Sequence, residues 1–364
     1  MEDLHIKITL NDAPKAKPAD VGGSFGDYFT DHMFIMDYEE GRGWHDHRIV
    51  PFGEISLHPS AGAIQYGQSL FDGHKAYRCE DDTIRLFRPH AHLKRINNSA
   101  ARLCMPAIDE AEVMQAMLRL IDVDRDWVPR QNGTALYVRE TMIGTEGFMA
   151  VRPSCRYKFM LFLSPVGSYY SEGAAPVRIY ASEAHVRAAR GGIGSAKAAA
   201  NYVASLYASE KAKTEGHTQV LWLDSIERRY LEEVGTMNVM LRQGDEIITP
   251  PLSDSILPGV TRDTALALLR EWGENVSERN IAIDDVMAGV RGGPIRELWG
   301  VGTAAVVSPI GHLTYRGETV VVGGGKTGPV TQRLYEAITR LHDQVGPDPY
   351  GWGVTVPRFG DQNA

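Results

Sequence analysis

Gly191-Gly192-Ile193-Gly194-Ser195-Ala196-Lys197-Ala198-Ala199-Ala200-Asn201-Tyr202 sets a lysine among small, uncharged neighbours. Such a setting desolvates an ammonium group and favours a nucleophilic amine. Small neighbours also leave room for a planar ring. A snorkelling lysine at a glycine-rich helix start accounts for the same residues. The segment alone leaves both readings open.

Downstream, Glu232 and Glu233 stand in Tyr230-Leu231-Glu232-Glu233-Val234-Gly235-Thr236-Met237-Asn238. Neighbours on a strand point to opposite faces, so at most one of these carboxylates is expected at a buried site. An inward one needs a cationic partner. Two solvated glutamates at a strand end fit the pattern equally. Gly259-Val260-Thr261 precedes the helical run Arg262 to Leu269, and N–H groups at a helix start bind phosphate. Thr261 could also simply be the N-cap. In Gly300-Val301-Gly302-Thr303-Ala304-Ala305 the glycines permit close backbone approach to an anion. Arg95 lies off the apolar stripe of its helix, which by itself predicts a surface arginine.

Around these segments, a strand is expected at Ile84 to Phe87, followed by a helix with Leu93, Ile96, Ala100 and Leu103 on one face. A second helix starts near Asp109, a capping residue reciprocated by Glu112. β-rich runs at Ala135 to Ile143 and Tyr157 to Leu163 come next. Then a proline- and small-residue connection runs from Ser164 to Pro176. Beyond it strands are expected near 177–181, 219–223, 229–234 and 237–241, and helices near 197–213, 262–272 and 329–342. We therefore expect an α/β (α+β) chain with a smaller N-terminal α/β domain at 1–165, a connection at 166–176 and a larger domain at 177–364. Residues 1 to about 24 read as an irregular arm.

Composition bounds the function. A length of 364 residues exceeds one ordinary core. Charged residues at 23% and hydrophobic ones at 43% describe a globular chain rather than a disordered one. A net charge of −8 argues against nucleic acid or an anionic membrane as partner. The acidic start Met1 to His5 lacks the basic n-region of a secretory leader, and the longest apolar run, Phe159 to Leu163, is too short to span a bilayer. Cys79, Cys104 and Cys155 make neither a metal pattern nor a disulfide framework, which fits the cytoplasm. Three motifs carry no chemistry on this reading. Gly323 to Thr327 lacks the first glycine of a P-loop, Val320 standing in its place, and reads as a turn before the last helix. Gly192-x-Gly194 has Lys197 where the third glycine of a dinucleotide fingerprint belongs. His45 and His47, and His90 and His92, have a spacing that suits no helical metal face, so they read as loop or helix-surface histidines and no metal site is expected.

Taken in order, these segments resemble the branched-chain aminotransferases of the fold-type IV pyridoxal-phosphate enzymes over almost the whole chain. The resemblance also includes Phe29-Thr30-Asp31-His32-Met33, Tyr66 through Gly73, Leu86-Phe87-Arg88-Pro89, Leu136-Tyr137-Val138-Arg139 and Ser164-Pro165-Val166-Gly167-Ser168-Tyr169. It implies a two-domain architecture with pyridoxal 5′-phosphate in the interdomain cleft, most cofactor contacts coming from 177–364. Lys197 is then the Schiff-base lysine, and Glu233 rather than Glu232 pairs with the pyridine nitrogen. Tyr202 reaches the phenolic oxygen. Arg95 binds the phosphate with backbone groups of Val260, Thr261 and Thr303, while Thr236 and Gly302 complete the cofactor contacts. The Thr303-Ala304 turn receives the substrate α-carboxylate. Phe71, Tyr137 and Tyr169 wall an apolar pocket, and Tyr66 and Arg139 meet the second carboxylate of a dicarboxylic partner. Met149 and Val151 resemble positions contributed by the neighbouring subunit of a homodimer.

The implied reaction is transamination between L-leucine, L-isoleucine or L-valine and 2-oxoglutarate, with amino acids and 2-oxo acids as the partners. The D-amino acid aminotransferases and aminodeoxychorismate lyases of the same fold keep the lysine and the glutamate. Thr30 to Met33 and the Tyr137-x-Arg139 pair favour the branched-chain class over them. A silent scaffold would have no chemical need for Lys197, Glu233 and Arg95 together. Where mammalian members have a redox Cys-x-x-Cys after the Gly-Thr-Ala turn, this chain has Ala305 and Ser308, so thiol regulation by that route is not expected.

Overall fold

The computed structural model describes residues 4–21, 25–167, 175–343 and 348–360. Its contacts divide the chain into two units: Met1–Tyr169 with Lys197–Ala199 and Leu341–Ala364, and Tyr170–Ala196 with Ala200–Arg340. The expected connection at 166–176 falls mostly outside the described residues.

The first unit is built on a sheet of β1 (Lys7–Ile8), β2 (His32–Glu39), β3 (Gly43–Pro51), β4 (Ser69–Arg78), β5 (Ile84–Phe87), β6 (Ala135–Gly144) and β7 (Arg156–Val166). Their spatial order is β1-β3-β2-β7-β6-β4-β5, antiparallel throughout except where β1 runs alongside β3. That pairing gives the N-terminal arm a short strand where an irregular segment was expected. A short helix, α1 (Gly62–Tyr66), leads into β4. Two longer helices, α2 (Pro89–Arg102) and α3 (Glu110–Val123), carry apolar stripes at helical spacing. In α2 the stripe is Leu93, Ile96 and Ala100, all buried. The start of α3 is set by Asp109, whose Oδ1 accepts the N–H groups of Ala111 at 2.8 Å and Glu112 at 3.0 Å. Both stripes join Leu70, Leu86, Leu136, Val138 and Leu161 of the sheet in one core. Fully burying each such side chain contributes about 1.5–3 kcal/mol.

The second unit holds β8 (Val177–Ala181), β9 (Gln219–Leu223), β10 (Leu231–Val234), β11 (Met237–Gln243), β12 (Glu246–Thr249), β13 (Asn275–Glu278), β14 (Ile295–Gly302), β15 (Val306–Tyr315) and β16 (Glu318–Val321). The strands run β10-β9-β8-β15-β14-β11, and β11 pairs back onto β10. Six strands therefore close into a ring, which removes the edges an open sheet would expose. Inside it Ile179, Leu221, Leu223, Val234, Val239, Leu298 and Leu313 form a second core. Four helices accompany the ring: α4 (Ala199–Thr214), α5 (Val260–Glu271), α6 (Ile283–Gly292) and α7 (Pro329–His342). Helix α5 is followed by its C-cap Trp272, and Gly273 comes next in the left-handed region at φ 75°. Before α7, Gly323 to Gly325 all take positive φ, the turn expected there.

The C-terminal stretch corrects the expected domain limits. Leu341–Ala364 belongs to the first unit, not to a domain reaching 364, because β17 (Gly353–Thr355) pairs antiparallel with β5. Backbone pairing with a strand far away in sequence leaves no local pattern to read. Among the described residues no helix is long and apolar enough to cross a membrane.

Candidate active site

In the first unit Lys197 is pinned through its own peptide groups. Its N–H donates to Ser99 Oγ on α2 at 3.0 Å, and its carbonyl accepts the N–H of Phe71 on β4 at 3.1 Å. These bonds account for residues 197–199 joining this unit. The lysine lies just before α4 rather than inside it, at a helix start where a side chain can project. Its Nζ lies 5.0 Å from the Phe71 ring centroid. The guanidinium of Arg139 lies 4.5 Å from that same ring and 5.2 Å from the ring of Tyr137. Strand pairing explains the grouping, since β4 and β6 run antiparallel with Gly73 opposite Arg139 and Phe71 opposite Thr141. Phe71, Tyr137, Arg139 and Lys197 thus share one aromatic, cation-bearing surface. Tyr66 is 44% exposed and donates its hydroxyl to the carbonyl of Met149. Met149 and Val151 are themselves exposed at 83% and 87%. Tyr169 lies outside the described residues.

Arg95 is not on the surface. It is 6% exposed, with Nε donating to Asp72 Oδ2 at 2.7 Å and Nη2 to Asp72 Oδ1 at 2.6 Å. An arginine leaves the solvent face of a helix when a buried carboxylate waits on the element beneath, and that carboxylate belongs to β4. His92 is buried with it, its Nδ1 2.9 Å from Asp72 Oδ1, which corrects the helix-surface reading. Burial pushes His92 down to about 3, with the Asp72 charge opposing. Burial alone would raise the Asp72 carboxyl, but Arg95 and His92 beside it hold it well below the usual carboxylate range. His45 and His47 lie on β3 rather than in a loop. Among the described residues no cluster of His, Cys, Asp or Glu could hold a metal ion.

In the second unit the glutamate pair departs from the expectation that only one would be buried. Glu232 is 5% and Glu233 is 4% exposed. Alternation separates buried from solvated residues only where one face of a strand meets water, and every residue of β10 is buried. A register shift between Leu231 and Glu233 in the pairing with β9 also breaks the simple period. Each carboxylate has its own partners. Ser255 Oγ donates to Glu232 Oε1 at 2.5 Å, and burial raises the Glu232 carboxyl against that bond. Glu233 forms an ion pair with Arg187 and accepts from Asn238 Nδ2 at 3.1 Å.

Arg187, Tyr202, Glu233, Gly235, Thr236 and Leu257 line one narrow cleft. Asn201 beside them ties the lysine segment down, donating to the carbonyls of Ile193 and Ala196 at 2.9 Å each. Gly194 is required by packing, because a Cβ there would stand 2.5 Å from the carbonyl oxygen of Ser255.

Helix α5 begins at Val260 with Gly259 as its N-cap, so Thr261 is a first-turn residue and not the cap. A Cβ on Gly259 would meet Asn238 Oδ1 at 2.0 Å, and glycine brings no capping side chain. The first-turn N–H groups of Val260 and Thr261 have no acceptor within the helix, the arrangement that suits a phosphate. Thr303-Ala304-Ala305 forms a three-residue hairpin turn between Gly302 of β14 and Val306 of β15, the latter at φ 62°. A β-branched residue takes that conformation only where its surroundings impose it.

The motifs had not singled out Asp72, Arg187, Asn238 or Ser255. For Asp72 a signal existed, an acid inside the apolar run Leu70-Phe71-Asp72-Gly73. Arg187 carries none, since its position depends on the path of the loop before Lys197.

The chain belongs to the class IV aminotransferases: the family model Amino-transferase class IV matches residues 69–313. Curated relatives narrow the likeness. Branched-chain-amino-acid aminotransferase 2 of Bacillus subtilis (strain 168) is 47% identical over 351 residues, covering 96% of this chain and 97% of that protein. Branched-chain-amino-acid transaminase 1 of the same organism is 49% identical, covering 94% and 96%. Among solved structures, the branched-chain amino acid aminotransferase of Escherichia coli matches with a TM-score of 0.75 at 25% identity, covering 90% of this chain and 99% of that one. The T.th. branched-chain amino acid aminotransferase with pyridoxamine 5′-phosphate matches with a TM-score of 0.73 at 25% identity, covering 88% and 98%.

Proposed function

We propose that the chain catalyses transamination between L-leucine, L-isoleucine or L-valine and 2-oxoglutarate, giving the branched-chain 2-oxo acid and L-glutamate, with pyridoxal 5′-phosphate as cofactor. The observation that carries this reading is the placement of Arg139 against Phe71 and Tyr137. An apolar wall favours aliphatic side chains, while the cation on it answers the second carboxylate of glutamate.

The residues present fit the cofactor. Glu233 is a buried carboxylate that lines a cleft with Tyr202 and Thr236, and α5 presents first-turn N–H groups with no intrahelical acceptor. When bound, pyridoxal 5′-phosphate supplies an electron sink for the pair left at the substrate Cα. Lys197 would carry the cofactor, and its amine would take up and return the substrate Cα proton as general base and acid. Glu233 would hold the proton on the pyridine nitrogen, and Tyr202 would meet the phenolic oxygen. Arg95, with backbone groups of Val260, Thr261 and Thr303, would hold the phosphate, and Thr236 and Gly302 would adjoin it. The N–H groups of the Thr303-Ala304 turn would orient the α-carboxylate. Tyr66 would join Arg139 at the distal carboxylate, and Tyr169 belongs to the same proposed wall.

A homodimer is part of this reading. The exposure of Met149 and Val151 supports it, since bare apolar side chains gain from a second subunit. Three free thiols support a cytoplasmic setting. A panel of amino donors on the purified protein, with 2-oxoglutarate as acceptor, tests the function. L-leucine, L-isoleucine and L-valine should exceed L-alanine, and faster turnover of D-alanine than of L-leucine would overturn the assignment.

A further inference from the structure

Asp72 stands in the middle of β4 with none of its surface exposed. Its two oxygens receive Arg95 Nε at 2.7 Å, Arg95 Nη2 at 2.6 Å, His92 Nδ1 at 2.9 Å and the N–H of Gly73 at 2.7 Å. An ionised carboxylate only accepts, so His92 carries its proton on Nδ1. The ring of His74 lies 5.0 Å from that of His92, and its Nδ1 is 2.7 Å from Glu140 Oε1, so the polar row continues across to β6. Every member is buried. Such an ion pair adds little net stability over apolar residues of the same size. Its form therefore points to what the guanidinium is being held for.

We propose that Asp72 is a positioning residue for the cofactor: its fork on Arg95 fixes the plane and direction of the guanidinium that holds the phosphate. The proposal rests on the reading that Arg95 takes that phosphate. An arginine stem has several rotatable bonds, and a single hydrogen bond would leave the plane free to turn. Two parallel bonds to one carboxylate do not. The carboxylate is itself fixed, because His92 and the Gly73 N–H occupy it from other directions and β4 lies between β5 and β6 in the sheet. The direction of Nη1 is then set by a strand and not by a flexible side chain.

The test uses the full chain freed of cofactor and titrated separately with pyridoxal 5′-phosphate and with pyridoxal, which lacks the phosphate, following absorbance and fluorescence. Arg95→Gln establishes the baseline by weakening the phosphorylated form selectively. Asp72→Asn should weaken pyridoxal 5′-phosphate roughly tenfold and pyridoxal less than about twofold, the scale on which outer partners tune a liganding group. Asp72→Glu, which keeps the charge, should restore most of the loss. Equal weakening of both compounds by Asp72→Asn means a merely structural role and overturns the proposal. If Arg95→Gln itself shows no selectivity, the Arg95 assignment fails instead, and the two failures are distinct. Should Asp72→Asn not fold, the double variant Asp72→Asn with Arg95→Gln removes the unpaired charge. It should bind pyridoxal 5′-phosphate as Arg95→Gln does, and further selective loss would overturn action through Arg95.

Discussion

The guanidinium of Arg139 lies 4.5 Å from the centroid of the Phe71 ring, on the ring that also stands 5.0 Å from Lys197 Nζ. Cation and aromatic face stabilise one another, so the charge can rest on an apolar wall without a carboxylate opposite. On the proposed function such a wall would serve two kinds of substrate in turn. Arg139→Met should slow the 2-oxoglutarate half-reaction about tenfold to hundredfold, the worth of a charged hydrogen bond, and the leucine half-reaction far less. Single-turnover kinetics of each half-reaction decides it, and equal slowing would remove Arg139 from substrate selection.

Lys197→Ala should abolish the visible absorbance of the cofactor-bound protein and cost at least about a thousandfold in turnover, since covalent attachment and proton transfer are lost together. Survival of the band in this variant, with its loss in another lysine variant, would assign the role elsewhere.

Glu233→Gln should slow the chemical step strongly while leaving cofactor binding largely intact. Glu232→Gln should affect stability more than the chemical step, because its carboxylate is engaged with Ser255 rather than with the Arg187 cleft. Rapid-kinetic measurement of the first half-reaction separates the two. An equal loss from both would mean that the wrong carboxylate was chosen.

Mild peroxide should leave activity unchanged. Ala305 and Ser308 stand where a redox pair would be, and two of the three thiols, Cys79 and Cys155, are held in the protonated form. Burial pushes the Cys79 thiol up, and hydrogen bonding to Glu146 raises that of Cys155. Reversible inactivation, relieved by a reductant and abolished by changing Cys79, Cys104 or Cys155, would reveal a thiol switch.

Acid should destabilise the fold partly through His342. Its ring stacks on Tyr77 with centroids 4.4 Å apart, and burial, with Lys75 nearby, holds it down at about 3. The folded value lies below the unfolded one, so the unfolded chain binds the extra proton. The stability is therefore present above about pH 6.5 and is lost as pH falls toward the folded value, with a slope of up to about 1.4 kcal/mol per pH unit. His342→Phe should flatten the pH dependence of the denaturation midpoint between about pH 6 and pH 4. An unchanged slope would show that other groups carry it.

Much of the secondary structure was legible. Strand β5, helix α2 with its buried stripe, the Asp109 cap and the strands β8 to β11 follow local rules of period and capping, whereas β12 to β16 were not expected. Strand β4 was not read from its pattern, since it is covered on both faces and shows no alternation. Glu232 and Glu233 were misjudged for the same reason, and Arg95 and His92 were placed on a surface they do not occupy. In each case the deciding neighbour comes from a distant part of the chain.

The sequence by itself determined which residue types were available for the chemistry: Lys197 among small residues, Glu233 before a glycine turn, and glycines at 259 and 302. These depend on covalent identity and on the few backbone shapes that glycine permits. Only the tertiary structure decided that Asp72 faces Arg95, that Arg187 faces Glu233, and that the C-terminal strand completes the first sheet. A buried charge is tolerable only beside its partner, and that partner is supplied by strand register and loop path, which no local pattern encodes.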